Sequence, residues 1–305
     1  MAAATPPEPT RPPINPERRA AFLAADWRER QAIHRAVAQR KAQALEARRA
    51  LGGRYLERHP EGSTVPWHGG VLRLDLPDAT KDARQEALAL AAGREAQANN
   101  RSLEFTVLGR DFPAESAAVQ LATSPLLLVP MVRYFGMLPV LFNVFVARAH
   151  TTGFIPNSSH MFHIDPEDVI SHKAFIHLTE VDDDCGPLHV LPADRTEHVL
   201  EAVGYRGIDR VSDDTVNRLA GLGSVVRFTG PPGTVALADS SRCLHFGGRP
   251  RHPEKPMRYT LVFQYLLPTS FLFPIDGDSL PPRHLPNLTP SGDELWDALI
   301  GACHT

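Results

Sequence analysis

Apolar residues recur at helical spacing through the first third of the chain. Phe22, Leu23, Trp27, Ile33, Val37 and Leu45 follow a 3.6-residue period, and no Pro or Gly interrupts residues 17–50. Pro16 suits a first helical turn, where its missing N–H costs nothing. The pattern predicts one long helix or two consecutive ones, ended by Gly52 and Gly53. Further helical stretches are predicted over 82–98 and 114–135, the latter interrupted by Pro125 and Pro130. Between the first two, VLRLDL at 71–76 alternates as a short strand does. After Gly136 the pattern changes to short apolar, β-branched runs at 141–147, 174–178, 188–191, 224–228, 234–238 and 259–267. Turn chemistry fills the gaps, as in DCGP at 184–187 and GPPG at 230–233. Many short strands so punctuated predict an antiparallel sandwich or barrel. Residues 198–222 are polar and helical, an insertion between strands, and the Pro-rich tail 281–305 holds a short helix near 294–300.

Composition narrows the class. The 305 residues are 43% hydrophobic and 22% charged, enough for a substantial core. Residues 1–15 are Pro-rich and expected to be disordered. Residues 16–305 read as one domain: a helical part over about 16–136, a β core over about 137–270 and a C-terminal extension, 271–305. Lys and Arg total 32 against 35 Asp and Glu, so no basic excess points to nucleic acid. Cys185, Cys243 and Cys303 show no close spacing, which argues against a disulfide framework or cysteine zinc site and for a reducing, cytoplasmic setting. The longest apolar run, 126–132, is far short of a membrane span, and the N-terminus lacks the apolar stretch of a secretory signal, so no membrane partner is expected.

Candidate chemistry concentrates in SSHMFHIDP at 158–166. On a strand, residues two apart share a face, so His163 and Asp165 project together, and Pro166 biases Asp165 towards extended backbone. His245, in DSSRCLH at the edge of a later strand, is the candidate third ligand. Two imidazoles and one carboxylate on one face of a metal are the set used by non-heme iron(II) oxygenases. Downstream, RYTLVFQY at 258–265 reads as a strand with Arg258 and Thr260 on one face. A guanidinium fork with an adjacent hydroxyl is suited to a carboxylate, such as the far end of a 2-oxoacid; a surface salt bridge is the ordinary alternative for an Arg.

The segments SSHMFHIDPED, KAFIHLTEVDDDCGPLHVLPADR, DSSRCLHFGGRP and RYTLVFQY together resemble, in order, the phytanoyl-CoA dioxygenase-like branch of the iron(II)/2-oxoglutarate-dependent oxygenases, to which ectoine hydroxylase belongs. The likeness spans about 141–267. It implies a double-stranded β-helix (jelly roll) flanked by N-terminal helices. It implies His163, Asp165 and His245 as iron(II) ligands, Arg258 helped by Thr260 as the 2-oxoglutarate clamp, and O2 as co-substrate. The implied reaction is 2-oxoglutarate-dependent hydroxylation; desaturation, ring closure and epimerisation use the same ligands. ADR at 193–195 and His160 depart from the Gly-Ser-His and Gln common in the family.

The remaining polar positions admit several uses. Asn143, on an early strand, and Lys173 are candidates to touch the co-substrate. His160, Arg242 and His177 are candidates to touch a substrate. Lys173, Phe175, His177 and Thr179 form one parity of a strand and Ala174, Ile176 and Leu178 the other; if the apolar parity packs on helices, the polar one lines the barrel. Cys243 shares the parity of His245, although a small buried residue is its commoner role. His189 reads as a packed histidine, the acidic run 182–184 as a solvated turn, and Arg249 and Arg251 as surface residues or anion-steering groups. No basic cluster for coenzyme A phosphates is evident, so the expected partner is a small polar metabolite such as an amino acid. The competing reading is a jelly-roll metal-binding protein without oxygenase activity, either a cupin-like isomerase or a small-molecule binding module.

Overall fold

The structure is a computed structural model and describes residues 16–60, 66–92, 94, 98–99, 103–149, 158–250, 258–274 and 285–303. Residues 1–15, Arg251 and 281–284 lie outside the described residues.

The helical third begins with three helices, where the pattern allowed one or two: α1 (Pro16–Ala24), α2 (Trp27–Arg40) and α3 (Ala42–Arg58). A capping box divides the first two: Asp26 accepts from the Glu29 N–H, and Glu29 accepts from the Asp26 N–H. Gly52 and Gly53 do not end α3 but lie inside it. Gly52 is required by close approach, because a Cβ there would lie 3.0 Å from the backbone of Met137 and Leu138. After β1 (Val71–Asp75), α4 (Lys81–Ala91) stops short of the predicted 98, and the chain enters β2 (Ala98–Asn99) and β3 (Leu103–Val107), which the periodicity did not reveal. Next come α5 (Ala117–Ala122) and α6 (Pro125–Phe135); Pro125 opens α6, and Gly136, at φ 67°, closes it. Together they are long and apolar enough to suggest a membrane span, but 61% of the stretch is buried within the protein as core helix.

The β-rich part comprises β4 (Val140–Ala149), β5 (Ser171–His177), β6 (Leu188–Val190), β7 (Val226–Phe228), β8 (Thr234–Asp239), β9 (His245–Phe246) and β10 (Tyr259–Leu266). Two helices, α7 (Ala193–Val203) and α8 (Asp213–Ala220), form the insertion, and α9 (Glu294–Leu299) lies near the C-terminus. One sheet runs β1-β8-β5-β10-β4-β3-β2 and the other β7-β6-β9, with antiparallel pairing throughout. Strand parity divides the large sheet cleanly. Ala174, Ile176, Val235, Leu237, Leu261 and Phe263 pack with residues of α3–α6 and α9 in the main core. The opposite parity faces the small sheet, and Ala236 and Ala238 pack there with Leu188, Val190 and Phe228. Polar side chains on that second face therefore have an enclosed space to point into. β10 sits centrally, pairing Thr260 with Ala147 and His177, and Val262 with Phe145 and Phe175.

Candidate metal centre and its cavity

The segment carrying His163 and Asp165 is not a regular strand. A turn of 3-10 helix, Ser158–His160, leads into a single rung of pairing between His163 and His245. His163 N–H donates to His245 O at 3.0 Å, His245 N–H returns to His163 O at 2.9 Å, and Asp165 N–H donates to Ser240 O at 2.8 Å. The backbone of 240–245 thus holds both halves of the site in register. The imidazole centroids lie 4.5 Å apart, and His245 Nε2 is 3.7 Å from Asp165 Oδ2. One potential ligand atom from each of the three buried residues lies within 4.8 Å of the others, so the group can hold a metal ion.

The hydrogen bonds set the tautomers. His163 Nδ1 is 2.8 Å from Met161 O, and His245 Nδ1 is 2.9 Å from Cys243 O. A carbonyl only accepts, so each Nδ1 carries the proton and each Nε2 keeps its lone pair. Burial, with His245 close by, pushes His163 down to about 3, and burial likewise lowers His245. Both rings are therefore neutral near pH 7. Burial alone would raise Asp165, but the Lys173 ammonium, 2.6 Å from Oδ2, and the two imidazoles outweigh it and hold the carboxyl below its ordinary range. Two neutral imidazoles and one ionised carboxylate form a donor set suited to a divalent transition metal.

The three residues open into a cavity of about 250 Å³ between the sheets, shared with Glu167, Lys173, Arg258 and Thr260. Phe145, Phe175, Leu188 and Val262 form its apolar wall. Arg258 is 5% exposed, yet its side chain has no hydrogen-bond or ion-pair partner among the described residues, and Nε is buried bare. Burial lowers its pKa to about 10. Thr260 Oγ1, on the same face of β10, is also buried without a partner. An uncompensated guanidinium at such a position costs several kcal/mol.

Other residues singled out from the sequence lie elsewhere. Asn143 is opposite Gln264 in the register of β4 and β10 and is not among the cavity-lining residues. His177 is buried beside Thr260, and burial with the nearby Arg258 lowers it to about 4, but it does not line the cavity. His160 is buried, and its carbonyl accepts from Arg249 Nε at 2.6 Å. Arg249 also pairs with Asp213 of α8 and lies 4.0 Å over the Phe246 ring, which occupies it structurally. Arg242 donates to Tyr134 at 3.2 Å, away from the cavity. Cys243 does not follow His245 into the site; its thiol donates to Gly69 O at 3.4 Å within the core. His189 stacks on Phe246 at 4.3 Å. Sequence reasoning passed over Glu167, although its spacing of two from Asp165 was a usable signal.

The fold and site thus define a protein with antiparallel sheets around a buried His-Asp-His group able to bind metal. No family model and no curated protein matches the chain. Solved structures do resemble it. EctD from S. alaskensis, with 2-oxoglutarate and 5-hydroxyectoine, is 18% identical, with 73% of this chain and 78% of that chain covered at a TM-score of 0.47. The non-heme alpha-ketoglutarate-dependent carbocyclase SnoK from nogalamycin biosynthesis is 14% identical, with coverages of 73% and 87% and a TM-score of 0.43. HygX from Streptomyces hygroscopicus, with nickel and 2-oxoglutarate bound, is 15% identical, with coverages of 65% and 83% and a TM-score of 0.42. At these values the functional reading is left to the chemistry of the site itself.

Proposed function

We propose that this chain is an iron(II)- and 2-oxoglutarate-dependent oxygenase with a double-stranded β-helix core, and that it hydroxylates an unactivated C–H bond of a small polar metabolite such as an amino acid. Arg258 carries the reading. A buried, partnerless guanidinium beside a partnerless hydroxyl, in the same cavity as a metal-binding group, calls for an anionic ligand. A metal-binding protein with no dicarboxylate to hold gains nothing from that arrangement.

In this reading His163 and His245 hold the iron through Nε2, and Asp165 holds it through a carboxylate oxygen. When bound, iron and co-substrate supply the oxidant: O2 and 2-oxoglutarate yield succinate and CO2 as C–H becomes C–OH. The chain's own residues bind, orient and exclude. Arg258 and Thr260 anchor the far carboxylate of 2-oxoglutarate. Lys173, hydrogen-bonded to Asp165 at 2.6 Å, keeps that carboxylate ionised and oriented. The carbonyls of Met161 and Cys243 fix the two imidazoles. The aromatic and aliphatic wall keeps bulk water from the reacting carbon.

The test is an anaerobic titration with iron(II) and then 2-oxoglutarate. A visible charge-transfer band that needs both components, and that Arg258→Ala abolishes, is the expected result. Metal binding without any such band in the wild type overturns the oxygenase reading in favour of a cupin-like isomerase or small-molecule binding module.

A further inference from the structure

We propose that Cys243, Tyr134 and Trp67 form an electron relay that protects this protein from its own oxidant, with Tyr134 as the residue oxidised and Asp239 as the acceptor of its proton. This inference rests on the oxygenase reading above, because it assigns what the chain does when the oxidant forms and no substrate C–H bond is there to take it.

The chain holds only 3 Trp and 5 Tyr, yet one of each meets beside the loop that carries His245. His245 Nδ1 donates to Cys243 O at 2.9 Å. The Cys243 sulfur and the Tyr134 hydroxyl both border Gly70: a Cβ there would lie 3.1 Å from the first and 3.3 Å from the second. The Tyr134 ring, on α6, is centred 4.7 Å from that of Trp67. Trp67 is partly exposed, between exposed Pro66 and His68. His172 packs against both rings at 4.1 and 4.9 Å, and its neighbour on β5, Lys173, lines the cavity. The group therefore lies one sheet's thickness from the metal site, and oxidisable side chains follow one another from a candidate metal ligand to the surface.

The surroundings of Tyr134 suit reversible oxidation. Its hydroxyl donates to Asp239 Oδ2 at 2.7 Å and accepts from Arg242 at 3.2 Å. Burial, with Asp239 alongside, pushes the phenol's pKa up, so Tyr134 carries its proton until it is oxidised. Burial also raises Asp239 to about 7, which makes it a stronger base than an ordinary carboxylate. A phenol gives up an electron more readily when its proton has an acceptor in place. The Arg242 hydrogen bond then steadies the oxygen left behind. Phe135 and His172 pack around the group and keep it dry.

The step balances as follows. Without a substrate, the oxidant made from O2 and 2-oxoglutarate needs two electrons and two protons to end as water beside succinate and CO2. Tyr134 gives one electron through Cys243 and His245, and its proton passes to Asp239, leaving a neutral phenoxyl radical. Trp67 returns an electron drawn from a one-electron reductant at the surface, and the proton goes back from Asp239 to the phenol. Two such passes supply both electrons, and solvent supplies the two protons for water.

The experiment loads the full chain with iron(II) and 2-oxoglutarate, adds O2 without substrate, and freezes the sample within seconds for electron paramagnetic resonance. The wild type is expected to show a tyrosyl radical, recognised by its narrowing when tyrosine is ring-deuterated. Tyr134→Phe is expected to show at least tenfold less radical while still forming succinate. Peptide mapping of that variant should find at least threefold more oxidation of cavity side chains. Trp67→Phe, given ferrocyanide as the reductant, should hold the radical at least tenfold longer than the wild type, and Asp239→Asn should shift the radical's g-value. Wild-type succinate without a tyrosyl radical, a radical that persists in Tyr134→Phe, or one unaltered in both other variants overturns the relay alone. A wild type with neither the charge-transfer band nor succinate overturns the oxygenase reading with it.

Discussion

Replacing Arg258 by Met should stabilise the ligand-free protein and cripple its hold on 2-oxoglutarate, two effects of opposite sign from one substitution. Arg258 is 5% exposed, and its guanidinium has no partner among the described residues and has its pKa held at about 10 instead of 12.5. That depression corresponds to roughly 3 kcal/mol against the folded state. The folded value lies below the unfolded one, so the cost is present in full at every pH below about 10. Met keeps most of the volume and removes the charge. With metal chelated, its melting temperature should exceed the wild type's by several degrees, with roughly 10 °C as a ceiling for a chain of this size. Losing one partner of a buried charge pair typically costs 2–5 kcal/mol. The variant should therefore bind 2-oxoglutarate roughly thirty-fold to a few thousand-fold more weakly, and the thermal shift from metal plus 2-oxoglutarate should shrink accordingly. Thermal denaturation with and without ligand, plus a calorimetric titration, measures both effects. A variant that melts below the wild type without ligand, or binds 2-oxoglutarate as well, refutes the reasoning, because the guanidinium would then be supporting the fold or standing idle.

Three further outcomes are expected. Asp165→Ala should abolish succinate formation coupled to substrate while keeping a native circular dichroism spectrum; wild-type succinate yield would remove Asp165 from the site. Burial raises Asp239, which sits against Tyr134, Arg242 and His172, to about 7. Its folded value lies above the unfolded 3.8, so stability present at low pH is lost as pH rises through about 7. Asp239→Asn should thus gain on the wild type between pH 4 and 8, by at most roughly 4 kcal/mol, in paired denaturant titrations; a pH-independent difference would contradict the burial argument. Gly248→Ala should destabilise by more than the roughly 1–3 kcal/mol of ordinary overpacking, because its Cβ would fall 1.5 Å from Gly186 O; a melting temperature within a degree of wild type would show that the two loops part easily.

Much of the element order was legible because it rests on local periodicity. The predicted strands 71–76, 141–147, 188–191, 234–238 and 259–267 correspond to β1, β4, β6, β8 and β10, and the turns between them follow from Gly and Pro chemistry. The alternation of β5 separated its two parities but left open which faced the helices; the structure puts Ala174, Ile176 and Leu178 in the helix-packed core and Lys173 and Phe175 in the cavity. The H-x-D spacing offered His163 and Asp165, and the ordered motifs that carry the family resemblance added His245, since residue types and order are properties of the chain. What spacing could not supply was convergence. His163 and His245 meet through one rung of backbone pairing outside any regular strand, and Cys243, two residues from His245, turns into the core instead. Gly52 looks like a helix terminator until the backbone of Met137 and Leu138 is seen against it.

By itself, the sequence determined which side chains were available, how they alternate along each strand, and that no basic excess marks the chain. Tertiary structure alone decided which of those groups went without a partner. Lys173 is satisfied by Asp165, Arg249 by Asp213, and Arg242 by Tyr134, while Arg258 Nε, Thr260 Oγ1 and Glu167 Oε2 find no hydrogen-bond partner among the described residues. Satisfaction of a polar group depends on what approaches within about 3 Å of it in space. That distance is set by the packing of segments far apart in the chain, which no local pattern encodes.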